Sequence, residues 1–179
     1  MIEHVIDVGP SLPLDVESLV AFRDRVATTP QGGAAVFALA LLALVEDRAK
    51  GVGCLTIAIE RDKLTQGTQG YKGFEPSRRD LRELEERVGG KPYLARSYIA
   101  GTTPEASYAL PSGPFQIKVR EQPNDVKDDR AKVFVWSTGA DSPRPIHLVK
   151  NNRGYWKASN WSSLTVGCRP PAPPVDDDL

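Results

Sequence analysis

Two rhythms of apolar and polar residues divide this chain near its middle. Val16, Leu19, Val20 and Val26 recur at helical spacing, with Phe22 beside them and Glu17, Arg23, Asp24 and Arg25 on the other side. That pattern predicts an amphipathic helix from Leu14 to about Ala27 that packs on one face only. Thr29 before Pro30 marks a second helix start, because the hydroxyl can cap free N–H groups and proline at the first helical position forfeits no hydrogen bond. From Ala34 to Val45 every side is apolar, until Glu46, Asp47 and Arg48 intervene. Such a helix belongs at the centre of the core, enclosed by other elements.

Val52 to Glu60 fits both a helical and an alternating period, and helix is the preferred reading. Gly67, Gly70 and Gly73 punctuate a loop. Ser77, with Asp80 three residues on, resembles a capping box opening a helix that carries Leu81, Leu84 and Val88 and stops at Gly89 and Gly90.

After Lys91 the period shortens to about two. Strands are predicted at Tyr93–Ala100, Ser107–Leu110, Phe115–Glu121, Lys132–Ser137, Ile146–Lys150 and Tyr155–Val166. Asn151 to Gly154 reads as the turn of a hairpin joining the last two. The expected fold class is therefore α+β, with an N-terminal helical half packed on one face of a C-terminal antiparallel sheet. Residues 1–13, interrupted by Pro10 and Pro13, form an extended arm. Residues 14–169 form one domain, with helices over about 14–90 and strands over about 91–168. Residues 170–179, rich in proline and aspartate, form a disordered tail.

Composition narrows the chemistry. At 179 residues one good core is available, burying roughly two-thirds of the unfolded surface. Lysine plus arginine and aspartate plus glutamate number 23 each, so no global field favours nucleic acid or an anionic membrane. The longest apolar run falls well short of the roughly 18 residues needed to cross a bilayer, and no signal-like segment opens the chain, so a cytoplasmic location is expected. Cys54 and Cys168 are too far apart for a metal knuckle, and a disulfide between them is not expected in a reducing compartment. Only His4 and His147 occur, and no metal site, cofactor fingerprint or catalytic constellation is evident.

Several phrases resemble a bacterial family of unknown function over about residues 29–171. They are Thr29-Pro30-Gln31-Gly32-Gly33-Ala34-Ala35, Tyr71-Lys72-Gly73, Ala95-Arg96-Ser97-Tyr98, Gly139 to Ile146, and Trp156-Lys157-Ala158 leading to Ser162-Ser163-Leu164. Trp161 and Cys168 depart from the phenylalanine and aliphatic residue expected there. The resemblance implies no activity and no site.

Four groups remain as candidates. Gly32 and Gly33 at a helix start leave N–H groups open to an anion, or else admit a neighbouring backbone. Asp141 and Arg144, on the stiff loop Gly139 to Pro145, pair with each other or hold a carboxylate together with the Gly32 helix start; Lys157 is a further candidate contact. Tyr155, Trp156 and Trp161 either pack in the core or form an interaction surface. By strand parity one tryptophan faces outward unless a bulge intervenes. Tyr93, Arg96, Tyr98 and Lys91 mix aromatics and cations, but the neutral chain argues against nucleic acid as a partner. Ser97, Ser162 and Ser163 lie in no nucleophile motif. The leading functional expectation is a non-catalytic module that binds a protein partner in an accessory or conflict system. The alternative is a binder of a small anionic ligand, or an enzyme acting on one, with its site between Gly32 and the Arg144 loop.

Overall fold

The computed structural model describes residues 1–175 and 178. The chain forms β1 (Ile2–Gly9), α1 (Val16–Val26), α2 (Pro30–Glu46), α3 (Arg48–Ala58), β2 (Leu64–Tyr71), β3 (Phe74–Pro76), α4 (Arg78–Val88) and α5 (Pro92–Arg96). There follow β4 (Phe115–Glu121), β5 (Val126–Lys127), β6 (Arg130–Val135), β7 (Arg144–Lys150) and β8 (Trp156–Asn160). Short 3₁₀ turns occupy Arg61–Lys63 and Ser162–Thr165. The main sheet runs β1-β4-β6-β7-β8 with β5 paired to β6, and each of these pairings is antiparallel. The α+β architecture is the one the two rhythms predict.

Helix starts follow the sequence signals. Thr29 Oγ1 accepts from Gly32 N at 3.1 Å and Ser77 Oγ accepts from Asp80 N at 3.1 Å, each satisfying an orphan donor of its first turn. Asp15 caps α1 in the same way, through Ser18 N at 2.8 Å. Every residue of α2 from Gly32 to Leu44 is buried, as a helix apolar all round requires. It crosses the inner face of the sheet, where Ile117, Val119, Val133, Val135, Ile146, Leu148 and Ala158 complete the core. Each large aliphatic side chain buried there contributes about 1.5–3 kcal/mol.

The structure corrects five local expectations. The N-terminal arm is extended, but it is the edge strand β1, with His4 opposite Val119 and Ile6 opposite Ile117. Ile6 and Val8 turn inward on a two-residue period, and the prolines act only beyond Gly9. The glycine-marked loop is the hairpin β2–β3, closed by Lys72 and Gly73 at φ 50° and 83°, the left-handed pair a two-residue turn requires. Tyr93–Ala100 is no strand: Pro92 opens α5, and Leu94, Ala95, Tyr98 and Ile99 are buried at helical spacing. Nor is Ser107–Leu110, since Ser107 and Tyr108 stand at φ 52° and 55°.

The last predicted strand ends early, at Asn160, and continues as a 3₁₀ turn. The expectation for the tail falls partly on residues outside those described. Within it, Ala172 N–H donates to the Pro104 carbonyl at 2.9 Å.

Candidate functional site

The α2 start is closed to ligands. Gly32 and Gly33 are buried, and a methyl carbon added to Gly33 would stand 2.6 Å from the Trp156 carbonyl oxygen. The glycines admit neighbouring backbone rather than an anion. Arg144 lies at the far end of β7 from Leu148, which also touches Gly33, roughly 13 Å along the strand. Its Nη2 donates to the Gly167 carbonyl at 2.6 Å. Asp141 pairs not with Arg144 but with Arg169, at 2.7 Å. Gly32 and Arg144 therefore do not converge on one site.

Both hairpin tryptophans point into the core. Across β7 and β8 the register changes by one between Leu148↔Ala158 and His147↔Asn160. This bulge reverses the side-chain parity beyond it. Trp156 and Trp161 are 5% and 9% exposed, and Trp161 stacks on Phe37 at 5.4 Å. Tyr155 is half-buried beneath the Arg23 guanidinium, 4.7 Å from its ring centre. The Tyr93 group is likewise dispersed: Tyr93 stacks on Tyr108, Arg96 pairs with Glu46 at 2.9 Å, and buried Tyr98 donates to the Leu164 carbonyl. Ser97 is buried and donates to the Leu94 carbonyl at 2.6 Å, and Ser162 bonds to Asn160.

Lys157 is the candidate that the fold places in a cleft. It pairs with Val149 on the outer face of the sheet, and Ile59 bridges to Ala158 alongside β8. The end of α3 and the β2–β3 hairpin meet this edge and enclose a cleft of about 700 Å³. Lys157 lies at its floor, 9% exposed, with Nζ donating to the Ile57 carbonyl near the α3 C-terminus. A cation there satisfies an orphan carbonyl and faces the negative end of the helix.

The walls combine charge with apolar surface. Arg23, Arg61, Lys72, Arg153 and Lys157 face Glu60 and Asp62 within the same lining, so positive charge prevails locally on a neutral chain. Ile59, Leu64, Val149, Tyr71 and Phe74 supply the apolar part. Arg61 lies 4.7 Å from the Phe74 ring centre and Lys72 5.3 Å from that of Tyr71, so aromatic rings support the cations. The β7–β8 turn is braced by Asn151 Oδ1, which accepts from Arg153 N at 3.0 Å and Tyr155 N at 2.9 Å. That bracing fixes where Arg153 meets the cleft.

Burial pulls the Lys157 amine down to about 8, and the Arg23 guanidinium acts in the same direction against Asp24. In the unfolded chain the amine keeps its proton to about 10.5. The buried charge thus weighs against folding below pH 8, and this cost is relieved as pH rises from 8 toward 10.5. Relative to Lys157→Met, the wild type is expected to gain about 1.5 kcal/mol between pH 8 and 9.5 in urea unfolding. A constant difference across that window would contradict the burial of the charged amine.

Neither cysteine is in a disulfide. Burial pushes the Cys54 thiol up to about 12, whereas Cys168 is partly exposed. Maleimide is expected to label native protein at Cys168 alone and to reach Cys54 only after unfolding. Native labelling of Cys54 would show that α3 opens readily.

Among the described residues no helix is long and apolar enough to cross a membrane, and no cluster of histidine, cysteine or carboxylate side chains has the grouping of a metal site. No curated protein and no solved structure matches the chain. A family model does match, over residues 11–172, and the chain belongs to that family, described as a domain of unknown function (DUF6935).

Proposed function

We propose that the protein binds a small anionic ligand with an apolar body in the cleft floored by Lys157. The observation that carries this reading is the burial of an ammonium group at the base of a roughly 700 Å³ cleft whose rim holds four further cations. Taking a charge out of water is costly unless something compensates it, and the Ile57 carbonyl supplies one partner for three donors. An anion entering the cleft supplies the rest. The apolar wall from Ile59 to Phe74 favours an aryl or alkyl anion over an inorganic one. This keeps the anionic-ligand class that Gly32 and Arg144 suggested, and the candidate contact Lys157, but moves the site away from Gly32 and Arg144. The protein-partner reading loses its aromatic anchors, because both hairpin tryptophans are core residues.

Phenyl phosphate provides a probe with both features. At a concentration a hundred times its dissociation constant it is expected to stabilise the protein by about 2.7 kcal/mol, while benzylamine at equal ionic strength gives no shift. Equal stabilisation by the amine would remove the electrostatic basis of the proposal.

A further inference from the structure

The main sheet has one face covered by α2 and an opposite face that is open across β1, β4 and β6 and closed over only at the β8 edge. Its inner side chains pack beneath α2, whereas Lys118, Arg120, Lys132, Phe134, Trp136 and His147 stand on the opposite side, each at least partly accessible. Two aromatic rings therefore sit two residues apart along the line of β6, about 6.7 Å, with cations on β4 and β6 around them.

The polar groups of this face are arranged unevenly. Of its carboxylates, Glu3 and Asp7 on the edge strand are occupied, while Asp125 stands opposite Lys132, whose N–H donates to the Asp125 carbonyl at 2.8 Å. Glu3 accepts from Arg120 Nε at 2.6 Å and Trp136 Nε1 at 2.8 Å, and Asp7 accepts from Gln116 at 2.9 Å. The Arg120 guanidinium lies 4.6 Å from the Trp136 ring centre. Lys118 and Lys132 close no ion pair among the described residues, and Lys132 Nζ lies 5.2 Å from the Phe134 ring centre. A hollow of about 500 Å³ opens over Val5, Lys118 and Trp136. Aromatic rings with lysines beside them that close no ion pair, on an open sheet, suit unpaired bases and phosphates, since every base has a face to stack and every linkage a charge.

We propose that this open face holds a short stretch of single-stranded DNA, with bases stacked against Phe134 and Trp136 and phosphates against Lys118 and Lys132. DNA rather than RNA follows from the hydroxyl-bearing neighbours. Ser137 is buried and its Oγ donates to Ser97, and Thr138 Oγ1 shares a hydrogen bond with buried Thr102, so the hydroxyls that follow Trp136 are turned to interior partners and not to a ribose 2′-OH. The neutral chain does not oppose this reading, because the local face and not the total charge sets the contact.

Fluorescence anisotropy with a labelled oligodeoxythymidine of about twelve nucleotides at low salt tests the proposal. Binding is expected, with log affinity falling against log salt at a slope near −1.4 for two phosphate contacts. Phe134→Ala is expected to weaken it about tenfold or more. The surface pair Lys118→Ala with Lys132→Ala should flatten the salt slope while leaving the circular dichroism unchanged. Lys157→Gln, a buried change in the cleft beyond Val149 at the other end of the same sheet face, should leave DNA binding intact, so failure here and failure of the cleft reading are separable. Absence of binding by a folded wild-type protein overturns the proposal. So does equal competition by polyglutamate, which would mean a surface for acidic protein, or a tenfold preference for oligouridine.

Discussion

Gly32→Ala is expected to lower the midpoint of thermal unfolding by about 6–12 °C, corresponding to about 3 kcal/mol in a domain of this size. A methyl carbon on Gly32 would stand 1.7 Å from the Val26 carbonyl oxygen and 2.4 Å from its carbon. Both atoms are backbone at the end of α1, so no rotamer change relieves the clash. Either α1 or the start of α2 must move, and α2 is the helix on which the inner face of the sheet packs. Gly90→Ala is the control, because no atom lies within 4 Å of its added carbon. It is expected to shift the midpoint by less than 2 °C. A tolerated Gly32→Ala would mean that α1 and α2 do not meet as described.

Lys157→Gln is expected to weaken phenyl phosphate binding at least tenfold while leaving the protein folded. Charge-assisted contacts to an anion are the strong ones, and a buried cation retains more of its Coulomb attraction than one at the rim. Glutamine still donates a hydrogen bond but carries no charge. Arg61→Ala, at the exposed rim, should cost less than Lys157→Gln and act chiefly through salt dependence. Equal effects of the two would place the ligand at the mouth and not at the floor.

What could be read from the residues depended on how local the cause was. Thr29 before Pro30 and Ser77 before Asp80 carry their capping partners within four residues, and both helices begin where expected. The apolar run of α2 needs no partner to declare itself, because its whole circumference is buried. The β2–β3 hairpin was opaque: Gln66, Gly67, Thr68, Gln69 and Gly70 show no apolar alternation, and the strand is held by pairing and by contact with α3. Tyr93 to Ile99 misled through aromatic and β-branched content, although Pro92 and the spacing of Leu94, Ala95, Tyr98 and Ile99 favoured a helix.

The site divides in the same way. Lys157 stood among the candidates, but its burial arises from a carbonyl one hundred positions away, at Ile57. Arg61, Tyr71, Lys72, Phe74 and Arg153 were missed because three separate segments bring them together. The one local trace was Lys72-Gly73 between two aromatics, a tight-turn signal with a cation at its tip. The fate of the two tryptophans turned on one extra residue in β8, which parity along a single strand cannot reveal.

Calorimetric titration of phenyl phosphate at pH 7.5 and pH 9 tests the cleft most directly. The ligand is largely a dianion at both values, while the free Lys157 amine passes through its transition near 8. Wild-type affinity is expected to fall about eightfold across this interval, and the weaker binding by Lys157→Gln should stay constant. Binding by the wild type that is equally tight at both pH values, or as tight in Lys157→Gln, would show that the buried amine does not hold the anion.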